Sequence, residues 1–164
     1  MSLLPVPTMS DVASFAPAPA VLAGEPAGHG IVGLPTNFLV AVGEHTAAGT
    51  LFDLPVTVRF TPEHITLRPG DGTSRTTATG GRSWASLGLG QFSPTDTSHT
   101  YSARGTYRAG AVVTYSADVD FGRGWRPVAG TLEIPTATYA VEVLEVRSAL
   151  VERTCAEDPG GPGC

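Results

Sequence analysis

The chain has 164 residues, of which 41% are apolar and 15% charged, so it has the length for one folded domain and too few residues for two. Its 20 glycines and 14 prolines exclude an architecture of long helices and favour short strands joined by tight turns. The net charge is −5, and the basic residues are all arginines scattered without a basic run, which argues against partners such as nucleic acid or an anionic membrane.

Residues 1–30 have the composition of an extended segment. The segment lacks the positively charged start and the unbroken apolar run of a signal peptide, and nothing in the chain approaches the length of a membrane span. We predict an extended N-terminal arm or linker over these residues, with one short helical turn from Ser10, where Ser10 and Asp11 provide a cap. The prolines that favour extended chain are Pro5, Pro7, Pro17, Pro19 and Pro26.

From residue 31 onward the chain shows the patterns of β-strands. Residues 37–43 form an apolar run of strand length, and the apolar side chains of residues 55–62 alternate strictly with polar ones. Residues 64–79 contain a short strand, the turn Gly70-Asp71-Gly72 and a threonine-rich return strand. The sequence therefore predicts a half-buried strand followed by a hairpin.

The second half of the chain predicts a long connection and then the longest strands. Residues 80–92 are the least strand-like and predict a connection with one helical turn. Residues 105–121 predict a central strand, and residues 125–135 and 136–151 predict the last two strands. Short strands at a spacing of roughly 8 to 15 residues, with turns between them, are typical of an all-β antiparallel sandwich.

The chain contains two cysteines, Cys155 and Cys164, in a tail rich in glycine and proline. Zinc would need about four ligands at closer spacing, so a disulfide that closes the tail is favoured over a metal site, with two free thiols as the alternative. A disulfide indicates an oxidising compartment. The predicted organisation is an arm over residues 1–30, a sandwich over 31–151 and a closed tail over 152–164.

An ordered set of motifs resembles a known family. Gly70-Asp71-Gly72 is followed by His99 and Tyr101 in Ser-His-Thr-Tyr, and then by Gly105 and Tyr107 in Gly-Thr-Tyr at the start of the long strand. In this order the motifs are similar to the PKD domain, an immunoglobulin-like β-sandwich. The resemblance implies that His99 and Tyr101 form a corner and that Gly105 and Tyr107 begin the central strand. Either tyrosine can then serve as a tyrosine corner.

The chain also departs from the family pattern. Leu67-Arg68-Pro69 stand where the family has an aromatic residue before the turn, the connection over residues 72–98 is long, and residues 121–135 look like an added hairpin. Trp84 and Trp125 lie in these two additions. We expect them either to fill the space of the missing aromatic residue or to contact a partner from an exposed loop.

Candidate catalytic and metal-binding residues are few. His99 is flanked by serine and threonine, but adjacent residues do not form a catalytic triad, so a structural role at a strand entry is favoured. Asp118 and Asp120 lie on one face of the predicted central strand, a spacing compatible with calcium or with an acid/base pair. Calcium needs about six oxygens, and Asp71 and Glu133 are the candidates for further ligands. A solvated strand end is the alternative, and no cofactor is expected.

The resemblance implies a non-enzymatic module, secreted or displayed at the cell surface, that contacts protein or glycan partners. The lysine-free composition and the two-cysteine tail are similar to exported PKD-type proteins of GC-rich actinobacteria, whose leader we expect to have preceded the given residues. One alternative is a virion or filament structural protein that assembles through its arm and sandwich edge. A further alternative is a hydrolase that uses the carboxylates of Asp118 and Asp120.

Overall fold

The structure is a computed structural model that describes residues 3–147, 155–157 and 159–161. The described residues form an all-β fold in which a three-stranded sheet and a seven-stranded sheet pack together, with short helices at two places. The helices are α1 (Met9–Val12), continued by a 3₁₀ turn (Ala13–Phe15), and α2 (Trp84–Leu87). The strands are β1 (Leu22–Glu25), β2 (His29–Ile31), β3 (Pro35–Val40), β4 (His45–Leu51), β5 (Leu54–Arg68), β6 (Arg75–Thr77), β7 (Ser98–Thr100), β8 (Gly105–Asp120), β9 (Arg126–Pro135) and β10 (Tyr139–Leu144).

The sheet topology is antiparallel with one parallel pair. The small sheet has the order β1-β3-β7. The large sheet follows the path β2-β10-β8-β5-β4, with β6 beside β5 and β9 beside β8. Strand β2 runs parallel to β10, and every other described pair is antiparallel. The all-β sandwich that the strand spacing predicts is therefore confirmed at the level of fold class.

Strands β5 and β8 are the longest described strands, with 15 and 16 residues, while the other strands beside them have 10 or fewer. One half of β8 pairs with β10 and belongs to the sandwich, whereas its other half pairs with β9. Strand β4 flanks the corresponding half of β5. Residues 45–62 and 112–135 thus form a four-stranded continuation of the large sheet, which we call the sheet extension.

The core follows the alternation that the sequence shows. In β5, Val56, Val58 and Phe60 are buried, as the pattern of residues 55–62 predicts. In β8 the alternate positions from Ala109 to Val119 are buried, so the predicted central strand is also confirmed. The remaining large buried side chains of the sandwich include Phe38, Val40, Ile65, Leu67, Val141 and Val143.

The N-terminal segment differs from the predicted extended arm. Helix α1 begins after Thr8 in a reciprocal capping box, in which the Asp11 amide donates to the Thr8 hydroxyl and the Thr8 amide donates to the Asp11 carboxylate. Val12 is fully buried in the core, and α1 contacts β9. Phe15 packs against Gly49 of β4. The helix and its 3₁₀ turn therefore cover the inner face of the sheet extension.

The position of the prolines explains this difference. Pro17 and Pro19 lie in the connection between the 3₁₀ turn and β1, and Pro26 lies in the turn between β1 and β2. Proline destabilises helix interiors and central strands, but it is tolerated in connections. A composition averaged over residues 1–30 consequently hides the short elements between the prolines.

The C-terminal predictions are tested only in part. Strand β10 ends at Leu144, earlier than the predicted end near residue 151. Cys155 lies exposed in a turn, whereas Cys164 lies outside the described residues, so the disulfide stays a prediction. Within the part of the chain that the structure describes, no helix has the length and apolarity to cross a membrane.

Candidate functional site

The two tyrosines of the motif region meet at one end of the sandwich. Tyr101, directly after β7, is fully buried, and its hydroxyl donates to the carbonyl oxygen of Pro69 at 2.9 Å. Tyr107, near the start of β8, stacks on Tyr101 with ring centroids 4.5 Å apart. Its hydroxyl donates to the carbonyl of Ala103, four residues upstream, at 2.7 Å. The tyrosines thus tie the β5–β6 turn and the β7–β8 connection to the central strand.

Asp71 and His99 join the Gly-Asp-Gly turn to strand β7. The Oδ2 atom of Asp71 lies 2.6 Å from Nε2 of His99, and its Oδ1 accepts hydrogen bonds from the amide and hydroxyl of Thr73. The His99 ring stands edge-on to Tyr101 at 4.8 Å. His99 is therefore held between a carboxylate and an aromatic face, which supports the structural role over that of a catalytic base.

Burial and hydrogen bonding shift the pKa values of Asp71 and Tyr101 in this cluster. Partial burial alone would raise the pKa of Asp71, but hydrogen bonds from Thr73 and His99 outweigh it, so the pKa lies below its ordinary value of 3.8. Burial, with a smaller effect of the Asp71 charge, raises the pKa of Tyr101 well above its usual range. Tyr101 is consequently protonated and a hydrogen-bond donor at any ordinary pH.

Gly70 is required by the same turn. Its φ is +96°, and a Cβ atom at this position would collide with the backbone carbonyl of Arg108. Only glycine combines this left-handed conformation with so close an approach of two backbones. The turn that carries Asp71 is therefore fixed against β8.

The paired carboxylates of the central strand have separate partners. Asp118 accepts a hydrogen bond from the Arg59 guanidinium at 3.3 Å, across the β5–β8 pair. Asp120 accepts from three consecutive backbone amides of the β8–β9 turn, from Gly122 to Gly124, at 2.7 to 3.0 Å. No group of three or more potential metal ligands comes together within the described residues. Of the candidates for further calcium ligands, Glu133 pairs with Thr114 in the middle of β8, and Asp71 follows Gly70, which lies against Arg108 near the start of β8.

Trp84 is buried, which favours the first of the two alternatives expected for it over a partner contact. The side chain is 5% exposed, and its ring packs against Phe92 at 5.7 Å. The indole Nε1 donates to the carbonyl of Ser93 at 2.9 Å, and the backbone amide donates to Glu25 at 3.0 Å. The helical turn predicted in this connection is confirmed as α2, and the Ser83 side chain caps it. Trp84 thus attaches the connection over residues 80–97 to the small sheet.

A buried asparagine also holds the connection over residues 80–97 against the small sheet, and it was not among the predicted site residues. Asn37 of β3 is fully buried and donates from Nδ2 to Glu25 and to the carbonyl of Arg82, each at 2.9 Å. Its Oδ1 accepts hydrogen bonds from the hydroxyls of Thr95 and Thr97. A polar residue at the start of the apolar run of residues 37–43 is the signal that points to Asn37, because a buried amide needs hydrogen-bond partners.

Trp125, by contrast, is exposed at the far end of the sheet extension. The ring is 41% exposed on one side and covered on the other by the Arg59 guanidinium, 4.2 Å from the ring centroid. Phe52, in the β4–β5 turn, is 45% exposed, and Leu54 beside it is also exposed. Phe52 and Asp53 both have positive φ values, as a tight hairpin turn requires.

The strand register places the two turns that carry these side chains at the same end of the sheet extension. Leu51 pairs with Leu54 at the β4–β5 turn, and Thr57, three residues later, pairs with Asp120 at the start of the β8–β9 turn. The two turns, residues 51–55 and 120–125, therefore share one end of the molecule, which we call the extension end. A cavity of about 300 Å³ opens between them. It is lined by Ala48, Gly49, Pro55, Val56, Thr57, Asp120, Phe121 and Gly122.

A second cavity, of about 230 Å³, lies between the edge strands β6 and β7. Phe38 and Leu67 line its floor, and Arg75 and His99 lie on its rim. Arg75 donates to the Ser98 carbonyl at 3.2 Å and His99 is bonded to Asp71, so the polar side chains of this rim already have partners in the chain.

No family model, curated protein or solved structure matches the chain.

Proposed function

We propose that the protein is a non-enzymatic binding module, secreted or displayed at a cell surface. It contacts protein or glycan partners through the extension end, and its scaffold is an immunoglobulin-like sandwich of the PKD type.

The sheet orders support an immunoglobulin-like scaffold. In that fold one sheet contains the first, second, fourth and fifth strands, and the other contains the third, sixth and seventh. Strands β1, β3 and β7 match the first, second and fifth strands, and β5, β8 and β10 match the third, sixth and seventh, while the described small sheet has no counterpart of the fourth. Tyr107, whose hydroxyl bonds four residues upstream before the central strand, has the geometry of a tyrosine corner. The contact between Asp71 of the Gly-Asp-Gly turn and His99 joins two of the PKD-like motifs to each other.

The observation that carries the proposed function is the exposure of Trp125 and Phe52 at the extension end. Aromatic side chains that neither fill a core nor support a turn are costly on a surface, and they are enriched where proteins bind partners. The Arg59 guanidinium holds the Trp125 ring in place, so the exposed ring face is ordered before any partner arrives. A preordered ring loses little conformational entropy on binding.

The chemistry-bearing side chains support a non-enzymatic role. His99, Asp118 and Asp120 are each engaged in contacts that fix a turn, a strand pair or a loop. None of these three is left as an unpaired base or nucleophile in a cavity, which is the arrangement that hydrolysis requires.

The test is a binding assay with defined probes. The intact protein is incubated with insoluble cellulose, chitin and peptidoglycan and with an array of extracellular proteins, and the bound fraction is measured. We expect Phe52→Ser combined with Trp125→Ser to weaken binding about tenfold or more to any probe that the wild type binds. The control is Leu89→Ser, an exposed apolar residue outside the sheet extension, which should leave binding unchanged.

Two outcomes would contradict the proposal. One is equal binding by the double variant and the wild type. The other is a wild type that binds none of the probes.

A further inference from the structure

Strand β4 leaves one edge of the sheet extension open. It is the last strand in the sheet order and pairs with β5 along its whole length, from His45 opposite Phe60 to Leu51 opposite Leu54. A strand carries hydrogen-bonding groups on both edges, so about half of the N–H and C=O groups of β4 point away from β5. Most of its residues are exposed, including Thr46, Ala48, Gly49 and Thr50.

The other long edge of the extension is protected against pairing. Strand β9 has prolines at its second and last positions, Pro127 and Pro135, and contains Gly130 with a φ of +89°. Its register with β8 is irregular between Tyr115 and Ala117. Prolines, bulges and kinks are the means by which natural sheets prevent edge-to-edge association.

The remaining edge strands of the described sheets are short. Strands β1, β2, β6 and β7 have three or four residues each. Strand β4 has seven residues and contains no proline, arginine or carboxylate, and its register with β5 shows no irregularity. Among the described edges, β4 is therefore the one that is both long and unprotected.

The sequence of β4 is also complementary to itself. In an antiparallel pair of two β4 strands centred on Ala48, Thr46 faces the partner subunit's Thr50, and Ala47 faces the partner subunit's Gly49. Threonine pairs across antiparallel strands are favourable, and no two like charges meet. The chain has a net charge of −5, so an uncharged contact strip avoids the repulsion that most other surfaces of two copies would experience.

We infer that a second copy of this chain occupies this edge, so that two β4 strands pair antiparallel about a two-fold axis and join the two sheet extensions into one continuous sheet. Such a contact is isologous and closes at the dimer. It leaves the exposed ring of Trp125, which comes from the β8–β9 turn, outside the paired edge. Dimerisation is thus separable from binding at Trp125, whereas Phe52 directly follows the paired strand.

Sedimentation of the intact wild-type protein tests the inference. Seven paired residues make a small interface, so we expect a dimer that forms at about 100 μM and dissociates on dilution to about 1 μM. Ala48→Lys places two like charges on the two-fold axis and should weaken dimerisation tenfold or more, an order-of-magnitude expectation for an edge lysine. Ala129→Lys makes the same change at an exposed position of β9 and should leave the dimer unchanged.

Hydrogen exchange is a second measurement that needs no variant. Amide protection in β4 should rise with protein concentration between the same two limits, while protection in β9 stays constant. A wild type that is monomeric at about 100 μM overturns the inference. Equal dimerisation of the two lysine variants, or concentration-dependent protection in β9 instead of β4, does so as well. Protection of β4 by an added foreign peptide, in a wild type that does not dimerise, would also overturn it.

Discussion

Tyr101 and Tyr107 look equivalent in the sequence, but they occupy different positions. Tyr101 is fully buried and its hydroxyl crosses to Pro69 in the β5–β6 turn, whereas the hydroxyl of Tyr107 makes a local bond at the surface. The sequence predicts that one of the two acts as a corner, but it cannot predict the stacking of the rings. That arrangement depends on the pairing of strands that lie far apart in the chain.

Tyr101→Phe should destabilise the protein more than Tyr107→Phe. Removing the buried hydroxyl leaves the Pro69 carbonyl without its partner, which costs about 1 to 2 kcal/mol, whereas loss of an exposed hydrogen bond costs about 0.5 kcal/mol or less. Urea unfolding of both variants, with the wild type as reference, measures the difference in the free energy of unfolding. Equal losses, or a larger loss for Tyr107→Phe, would contradict the assignment of Tyr101 as the buried anchor.

We expect the free energy of unfolding to depend on pH because of Asp71. Its pKa is lower in the folded protein than in the unfolded chain, so the unfolded chain binds more protons near pH 4 and stability rises with pH there. The stabilisation is fully present above the unfolded pKa of about 3.9 and is lost as the pH falls through the folded pKa.

Asp71→Asn should therefore lower the free energy of unfolding at neutral pH, and the difference from the wild type should shrink as the pH falls below about 4. Urea unfolding at a series of pH values measures this. Asp96→Asn, at an exposed position of the 80–97 connection, serves as the control and should stay within about 0.5 kcal/mol of the wild type. A constant difference between Asp71→Asn and the wild type at all pH values would show that the charge of Asp71 has no role.

Among the secondary-structure elements, the long strands could be predicted from the sequence, but the contacts that the connecting segments make with the sheets could not. The alternation in residues 55–62 and 105–121 sets the buried face of β5 and β8, because a strand has a period of two. Pro62 suggests a break between two strands, yet β5 continues through a register irregularity between Pro62 and His64. The burial of Trp84 was open, since a four-residue helix is too short to define a face by periodicity.

The contribution of helix α1 to the stability of the fold can be measured at Val12. Val12 is fully buried, so Val12→Ala removes about two methyl-sized groups from the core and should cost about 2 kcal/mol. Val6→Ala is the matched control, because Val6 is exposed and the same change should cost less than about 0.5 kcal/mol. Thermal or urea unfolding distinguishes them. If the two variants are equally stable, residues 1–30 behave as the extended arm that their composition predicts.

At the scale of the whole molecule, the scaffold and the candidate site lie at opposite ends of the two long strands. The motifs that the sequence makes visible, from Gly70 to Tyr107, hold the sandwich together. The extension end was visible only as an added hairpin with Trp125, because its position depends on the register of β4, β5 and β8. The proposed binding surface combines residues of two turns, with Phe52 in one and Trp125 in the other, that are about 70 residues apart in the chain.

Acrylamide quenching of the two tryptophans tests the proposed binding surface most directly. The chain has two tryptophans, so Trp84→Phe leaves Trp125 as the sole fluorophore and Trp125→Phe leaves Trp84. We expect acrylamide to quench Trp125 several-fold more strongly than Trp84, and we expect any probe that the wild type binds to reduce the quenching of Trp125 alone. Equal quenching of the two residues in the free protein, or a bound probe that leaves Trp125 as accessible as before, would contradict the assignment of the extension end as the binding surface.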